Sequence, residues 1–434
     1  MTAGNRGSIL MLSLHGYVAA RPELGMPDTG GQVTFVIELA RRFARLGYQV
    51  DVVTRQFEGQ RAVERLNNGA RIVRIPFGGK EFIRKEDMHD HLTQFVSNFL
   101  TSSRLSRDYD VVNSHYWDAG WAGQRIAEEL GIPHVHTPHS LGKWKQTDMR
   151  SIRDQDPEAD DGYRFDERIQ REFLVYRSCD HLIATSYQQG EILRESYDMR
   201  EQQITMIPPG IDESRFTPVP SDELKKIRRR LKFRQHDVYA VGRAASNKGY
   251  DLLIEGLPAL REIVPDARVM LAVGGNSAAD ERLIADWQKR AEALRVDEQV
   301  IWRNYIPDEK MPDYYRAAAV FALCSRYEPF GMTAIEAMAC GTPTVVTTNG
   351  GLREMLNFGT QALYADPTVP REFAGMLAMP MRYPDLAAKL SNEGSRFARR
   401  QFGWTGIAKR TAEIFEHFRG AYTQPEDAVL SSAR

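Results

Sequence analysis

The chain has 434 residues, enough for two domains that each bury a core of their own. Its 57 basic and 58 acidic residues leave a formal net charge of −1, which excludes a general attraction to nucleic acid or to an anionic surface. The cysteines Cys179, Cys324 and Cys340 lie far apart without metal-ligand spacing, and so sparse an odd count fits a reducing compartment.

Near the N-terminus, Ile9 to Leu14 reads as a strand. It runs into His15-Gly16 and a Pro/Gly-rich loop without a small-residue cleavage site, so it does not read as an export signal. The longest apolar run, Ala317 to Cys324, is too short to cross a bilayer. A soluble cytoplasmic protein with no membrane insertion is expected. Apolar residues recur at helical spacing from Val33 to Leu46 and predict an amphipathic helix, stopped by Gly47 and followed by the strand Y-Q-V-D-V-V-T. Gly30 and Gly31 precede that helix, where a backbone without side chains can approach a phosphate or simply turn. The pattern is not G-x-G-x-x-G, so a dinucleotide dehydrogenase fits poorly.

A-R-I-V-R-I-P-F predicts another strand, followed by the cations Lys80, Arg84 and Lys85, which are either a solvated run or a grip for an anionic acceptor. Asp110 to Ser114 is a short strand that ends at His115-Tyr116-Trp117-Asp118. In P-H-V-H-T-P-H-S-L-G-K-W-K, His134 and His136 alternate on one strand and His139 lies past its end. No Cys or carboxylate has the spacing to complete a metal site with them. Strand C-terminal ends are where α/β sheets build their sites, so His139 reads as a ligand-facing residue able to hydrogen-bond a sugar hydroxyl, with Lys143 and Lys145 nearby. Asp154 to Tyr163 reads as a solvated loop or lid, and the helix after it carries Arg164, Arg168 and Arg171. Leu182 to Ser186 and the segment I-T-M-I-P-P-G-I-D supply the last strands of this half.

Prolines between Pro208 and Pro220 mark the hinge. Ser221 reads as the N-cap of a solvated amphipathic helix whose basic face carries no nucleic-acid motif. The α/β pattern then restarts with V-Y-A-V-G-R. Arg243 and Lys248 bracket A-A-S-N at the end of that strand, where two cations suit a leaving diphosphate or form ordinary surface ion pairs. A-R-V-M-L-A-V-G-G-N, Q-V-I-W-R-N-Y-I and V-F-A-L-C predict further strands. After the last of these, Ser325 to Val346 reads as tight turn, helix and strand, one unit of a parallel sheet. Glu328 lies in the turn and Glu336 inside the helix among apolar neighbours, where a carboxylate needs partners. Ribose and hexose hydroxyls can supply them, or Glu336 is half-exposed or salt-bridged on an ordinary helix. Phe330, Gly331, Met332 and Thr333 present helix N-terminal N–H groups suited to a diphosphate. Asn349-Gly350-Gly351 is another close-approach loop. A C-terminal helix from Trp404 and a disordered tail from Thr423 complete the reading.

D-T-G-G-Q (28–32), H-T-P-H-S-L-G-K (136–143), G-R-x-x-x-N-K-G (242–249) and the phrase from Glu328 to Val346 together resemble one family across nearly the whole chain. It is the sucrose-phosphate-synthase-like branch of the retaining GT-B glycosyltransferases, which includes the mannosylfructose-phosphate synthases. The resemblance implies an α/β GT-B fold, two Rossmann-like domains with parallel sheets facing across a cleft. Residues 1–215 would bind the acceptor and 216–400 the nucleotide sugar, while a helix at 401–422 would pack back toward the first domain. It implies that Glu336 binds the ribose, Glu328 the transferred hexose, and Arg243 and Lys248 the departing diphosphate. Gly31 would approach the donor phosphates, His139 would contact the hexose 6-hydroxyl, and backbone at Tyr305 and Ile306 would read the base. Gln32, Lys85, Lys143 and Arg168 match acceptor-side positions that hold fructose 6-phosphate.

Leu352 stands where the family usually has Pro, and Ala244 where a bulkier aliphatic is common. The expected reaction moves mannose from GDP-mannose to fructose 6-phosphate. Sucrose-phosphate synthesis from UDP-glucose, transfer to a lipid-linked acceptor, and a non-catalytic sugar-nucleotide-binding regulator are the alternatives. A regulator would be expected to have lost Glu328, Arg243 or Lys248, and all three are present. No motif demands a metal or a covalent nucleophile. Mg2+ enters as a non-essential activator, and a separate phosphatase would act on the product.

Overall fold

Val- and Ile-rich runs alternate with amphipathic stretches along the chain and build two parallel sheets, each in its own compact unit. A computed structural model describes residues 6–20, 31–106, 108–153, 164–275, 278–304, 306–328 and 330–422. One unit holds residues 1–209 and 404–434, the other 210–403. The expected lid at Asp154 to Tyr163 and the tail from Thr423 lie outside the described residues.

The first unit contains strands β1 (Gly7–Leu12), β2 (Tyr48–Arg55), β3 (Val63–Asn67), β4 (Ala70–Ile75), β5 (Val111–His115), β6 (His134–Thr137), β7 (His181–Ala184) and β8 (Ile204–Met206). They lie in the order β3-β4-β2-β1-β5-β6-β7-β8, parallel throughout except the antiparallel pair β3-β4. Helices α1 (Gly31–Arg45), α2 (Leu92–Thr101), α3 (Trp117–Leu130), α4 (Gly142–Arg153), α5 (Phe165–Ser178) and α6 (Tyr187–Tyr197) join them. The first strand begins and ends two residues earlier than its apolar run suggests. Leu10 and Leu12 of β1 face one buried cluster with Trp117 and Tyr176, while Ile9 and Met11 face another with Val36 and Phe43 of α1. Each such fully buried side chain contributes roughly 1.5–3 kcal/mol.

The second unit contains helix α7 (Ser221–Leu231), then strands β9 (Asp237–Arg243), β10 (Arg268–Gly274), β11 (Val300–Arg303), β12 (Val320–Leu323), β13 (Thr344–Thr347) and β14 (Leu363–Ala365). All pairs are parallel, in the order β11-β10-β9-β12-β13-β14. Helices α8 (Tyr250–Ile263), α9 (Ala278–Ala293), α10 (Met311–Ala317), α11 (Met332–Ala339), α12 (Pro370–Arg382) and α13 (Pro384–Phe402) complete it. Pro220 rather than Ser221 is the N-cap of α7, and no side chain caps it. Among the described residues no helix is long and apolar enough to cross a membrane.

The seam falls at Pro209–Gly210, inside the proline-rich stretch but before residue 215. The reason is local pairing: Ile211 N–H donates to Phe402 O at 2.7 Å and Ile211 bridges Gly403, which ties Gly210 onward to the second unit. Helix α14 (Trp404–Tyr422) belongs to the first unit. Its Ile407, Ala408 and Phe415 pack in the cluster built on α1, and Glu416 accepts a 2.6 Å bond from Tyr48.

Candidate functional site

Each sheet has one place where its strand order reverses, between β1 and β5 in the first unit and between β9 and β12 in the second. Connections leave such neighbours in opposite directions and open a crevice at their C-terminal ends. Arg243, Lys248 and Glu328 lie at or just after the ends of β9 and β12, at the second of these places.

In the second unit, β9 ends at Arg243, and the turn after it holds Lys248 before Gly249 adopts φ 68°. A side chain at Gly249 would put its Cβ 2.0 Å from the Cys324 carbonyl oxygen, so this turn is pressed onto the end of β12. From there Ser325 and Lys248 grip one carboxylate: Lys248 Nζ donates to Glu328 Oε2 at 2.7 Å and Ser325 Oγ at 3.0 Å. The two turns are also stitched by Arg326. It donates to both oxygens of Asp251 at 2.9 and 2.6 Å, while its own N–H reaches Asn247 O. Glu328 N–H donates to Asn349 O, and a Cβ on Gly350 would fall 2.4 Å from Glu328 O. That contact accounts for the glycine in the loop after β13. The Arg243 side chain is exposed and, among the described residues, has no hydrogen-bond or ion-pair partner.

Glu336 stands apart from this pair, half-buried inside α11, where Tyr315 OH donates to it at 2.6 Å. Burial pushes its pKa up to about 7. The Tyr315 bond opposes the rise, Asp308 adds to it and Arg215 lowers it. Among the described residues it has no salt bridge, and its partial exposure fits the plainer of its two readings as well. Gly331 opens α11 at φ 86°, followed by half-buried Met332 and Thr333. Phe330 packs edge-on against Phe402 at 5.7 Å, and half-buried Ile306 joins the same apolar cluster. Tyr305 lies outside the described residues, as do Asp28, Thr29 and Gly30.

In the first unit, Gly31 opens α1 with clear space where a side chain would stand, and Gln32 Nε2 reaches Ser13 Oγ at 3.3 Å and His115 O at 3.4 Å. His139 follows β6 at φ 59°, and its Nε2 lies 3.0 Å from His115 Nδ1. Burial, then His15, pushes His139 down to about 3, so the ring is neutral. His134 and His136 point elsewhere, both onto Ser114 Oγ, at 2.6 and 2.8 Å. Sequence reasoning passed over the buried pair of His15 and Asp118, 2.9 Å apart. The available signal was that H-G follows β1 and W-D follows β5, the two strands at the reversal.

The expected acceptor cations are arranged less openly. Arg168 is buried and gives Nε to Glu172 at 2.8 Å, Nη1 to Tyr116 OH at 3.0 Å and Nη2 to Ser140 O at 2.9 Å. Burial works against its charge, but Glu172 and Tyr116 outweigh this and hold the guanidinium above its ordinary pKa. Lys85 and Arg168 line one small cavity with His89 and Tyr116. Lys143 is turned away from that cavity, donating to Ser196 O and lying 4.5 Å from the face of Phe173. Glu172 ties the group together, because it also accepts Gly142 N–H at 2.9 Å and the Tyr197 hydroxyl.

Comparison with known proteins shows the family. Residues 29–215 match the model of Glycosyltransferase Family 4, and residues 223–397 that of Glycosyl transferases group 1. The chain is 47% identical over 414 residues to the mannosylfructose-phosphate synthase of Agrobacterium fabrum, covering 94% of this chain and 91% of that protein. It is 31% identical over 421 residues to the D-inositol 3-phosphate glycosyltransferase of Xylanimonas cellulosilytica, covering 95% and 97%. Among solved structures, the sucrose-phosphate synthase of Thermosynechococcus elongatus superposes with a TM-score of 0.73 at 26% identity, covering 96% of this chain and all of that one. The chain is an enzyme of the retaining GT-B glycosyltransferases and belongs to their sucrose-phosphate-synthase-like branch.

Proposed function

We propose that the chain transfers mannose from GDP-mannose to fructose 6-phosphate and gives mannosylfructose phosphate with the donor's anomeric configuration kept. The observation that carries the choice of substrates is the 47% identity to the mannosylfructose-phosphate synthase over nearly the whole of both chains. The other relatives are also named for phosphorylated partners, inositol 3-phosphate and sucrose phosphate.

In this reading the second unit binds the donor. Glu336 accepts bonds from the ribose hydroxyls, the N-terminus of α11 from Phe330 to Thr333 meets the diphosphate, and backbone at Tyr305 and Ile306 reads the base. Glu328 holds the hexose, itself fixed by Lys248 and Ser325. The glycosidic C–O bond to phosphate breaks as the acceptor hydroxyl bonds to the anomeric carbon on the same face, and the hydroxyl proton passes to the departing phosphate oxygen. Arg243 and Lys248 stabilise the charge that collects on that oxygen. In the first unit, Gly31 approaches the donor phosphates and His139 meets the hexose 6-hydroxyl. Gln32 and Lys85 contact the acceptor, and Lys143 and Arg168 supply a positive field around its phosphate.

Because the leaving charge is met by these cations, turnover persists in a chelator, with Mg2+ a non-essential activator. The reaction is placed in the cytoplasm, with a separate phosphatase consuming the product. A second reading, sucrose-phosphate synthesis from UDP-glucose, draws on the likeness to the solved sucrose-phosphate synthase. Product analysis by NMR with each donor, using fructose and fructose 6-phosphate, separates them. GDP-mannose with fructose 6-phosphate is expected to dominate. Preference for UDP-glucose gives the assignment to the second reading, and equal rates with free fructose refute the acceptor.

A further inference from the structure

Asn113, His115 and His139 form a chain of hydrogen bonds from the interior of the first sheet to its reversal point. Asn113 and His115 are wholly buried on β5, and of the three residues His139 alone keeps exposed surface. Asn113 Nδ2 donates to Val135 O at 3.2 Å, which fixes the orientation of its amide. A flipped amide would set its oxygen against that carbonyl. Asn113 Oδ1 therefore faces His115 Nε2, at 2.9 Å, as an acceptor, and that nitrogen must carry the proton. A neutral imidazole has one N–H, so His115 Nδ1 is bare. It lies 3.0 Å from His139 Nε2, which must then be the protonated nitrogen of His139. His139 Nδ1 is left bare and has no hydrogen-bond partner among the described residues.

Both rings are kept neutral by their surroundings. Burial, then His139, holds His115 well below its ordinary pKa, and burial, then His15, lowers His139. Phe35 packs edge-on against both rings, with centroids at 5.8 and 5.0 Å, and covers the link between them. A second proton on His115 would sit on Nδ1 and set two N–H groups against each other across 3.0 Å.

We propose that Asn113 and His115 are positioning residues that fix the tautomer of His139, so that its Nδ1 meets the ligand as a lone pair that accepts a hydrogen bond and never donates one. The role of the lone pair rests on the reading above, in which His139 contacts the 6-hydroxyl of the transferred hexose. That hydroxyl must then be the donor. The site thus asks for a group at this carbon that carries a proton, and His139 does not act as a proton donor to the glycosidic oxygen. A fluorine there, which offers only lone pairs, would face the lone pair of Nδ1.

Two measurements on the unaltered full-length chain test this. Long-range 1H–15N correlation at neutral pH, with His139 assigned by comparison with His139→Gln, is expected to show Nε2 protonated and Nδ1 bare. A protonated Nδ1 overturns the inference. In kinetics with the parent donor and its 6-deoxy and 6-deoxy-6-fluoro analogues, kcat/KM is expected to fall roughly tenfold or more for the deoxy compound. It should fall further for the fluoro compound. A fluoro analogue as good as or better than the deoxy one overturns the inference. If both analogues match the parent, His139 does not touch that hydroxyl. The contact assigned above then fails, and the tautomer seen by NMR decides for the relay by itself. In Asn113→Leu the second tautomer of His139 should appear and the extra fluoro penalty should shrink. A single unchanged tautomer in that variant overturns the role of Asn113.

Discussion

The two strand-order reversals hold polar residues in opposite ways. In the second unit charge is kept near the surface: Arg243 is exposed and unpaired among the described residues, and Lys248 and Glu328 pair at 25% and 13% exposure. In the first unit the polar groups are driven inward. His115 and His139 are neutral, and Arg168 and Glu172 form a buried pair. In the proposed reading the difference follows from what the residues meet, a departing diphosphate at Arg243 and Lys248 and a sugar hydroxyl at His139. Charge that develops on a departing diphosphate needs cations free to act on it, whereas neutral sugar hydroxyls need donors and acceptors held in fixed orientation. A mutation in the first region should therefore register mainly as lost structure, and one in the second as lost chemistry.

The largest effect is expected in the first region. Glu172 is fully buried and accepts from Arg168, Gly142 and Tyr197. Glu172→Ala strands the buried guanidinium and uncaps α4, and losing one partner of a buried pair costs about 3–5 kcal/mol. A urea titration should show that loss. The pair of Lys248 and Glu328 is partly solvated, so Lys248→Met should cost under about 1 kcal/mol. Equal losses would erase the contrast between the regions.

How legible each region was in the sequence follows the same division. The second site is local: Glu328, Gly331 and Glu336 sit in one turn-and-helix phrase, and Arg243 and Lys248 in another. What the phrases could not disclose was the stitching between them, since Arg326 finds Asp251 across 75 residues. In the first region, α4 was missed as a helix because its cap is remote. Gly142 N–H is satisfied by Glu172 of α5, and Lys143 N–H by Tyr197 of α6 at 3.1 Å. No Ser, Thr, Asp or Asn stands next to the start of α4 to announce that arrangement. The edge strand β3 was missed although Asn68-Gly69 marks its hairpin, because V-E-R-L-N is too exposed to show a clear apolar alternation. The inward turn of Arg168 was likewise invisible, because it depends on a carboxylate one helical turn away that reads equally well as a surface pair.

Next in size is Arg243→Ala. With no protein partner to lose, its stability should stay within about 0.5 kcal/mol of the parent. Its kcat should fall by roughly 10²–10³-fold, the scale of removing one donor that acts on transition-state charge. Rapid-quench turnover and thermal melts on the same preparation measure both. Near-normal turnover would end the leaving-group assignment, and a large drop in stability would move Arg243 into the structural class.

The most diagnostic effect concerns Glu336, a carboxyl held at about 7 against an ordinary value of 4.5. Between those values the folded chain binds more protons at this site than the unfolded chain, so its contribution to stability falls as pH rises from about 4.5 through 7. The full loss is on the order of 3 kcal/mol. Ribose hydroxyls that donate to Glu336 need the ionised form, so nucleotide affinity should move the other way and rise with pH through the same window. Stability in the empty protein and affinity for the nucleoside diphosphate therefore cross. The difference between the parent and Glu336→Gln isolates this site from the histidines and from Asp308 and Arg215 beside it. Tyr315→Phe is the finer test. It removes the hydroxyl that now stabilises the carboxylate, worth about 1 kcal/mol, so the Glu336 pKa should climb by somewhat under one unit and carry both profiles to higher pH together. Urea midpoints and calorimetry from pH 5 to 8 would read the two curves. Profiles that Tyr315→Phe leaves in place, or that rise and fall in parallel, would remove Glu336 from the ribose and leave it as a half-buried carboxyl bonded to Tyr315.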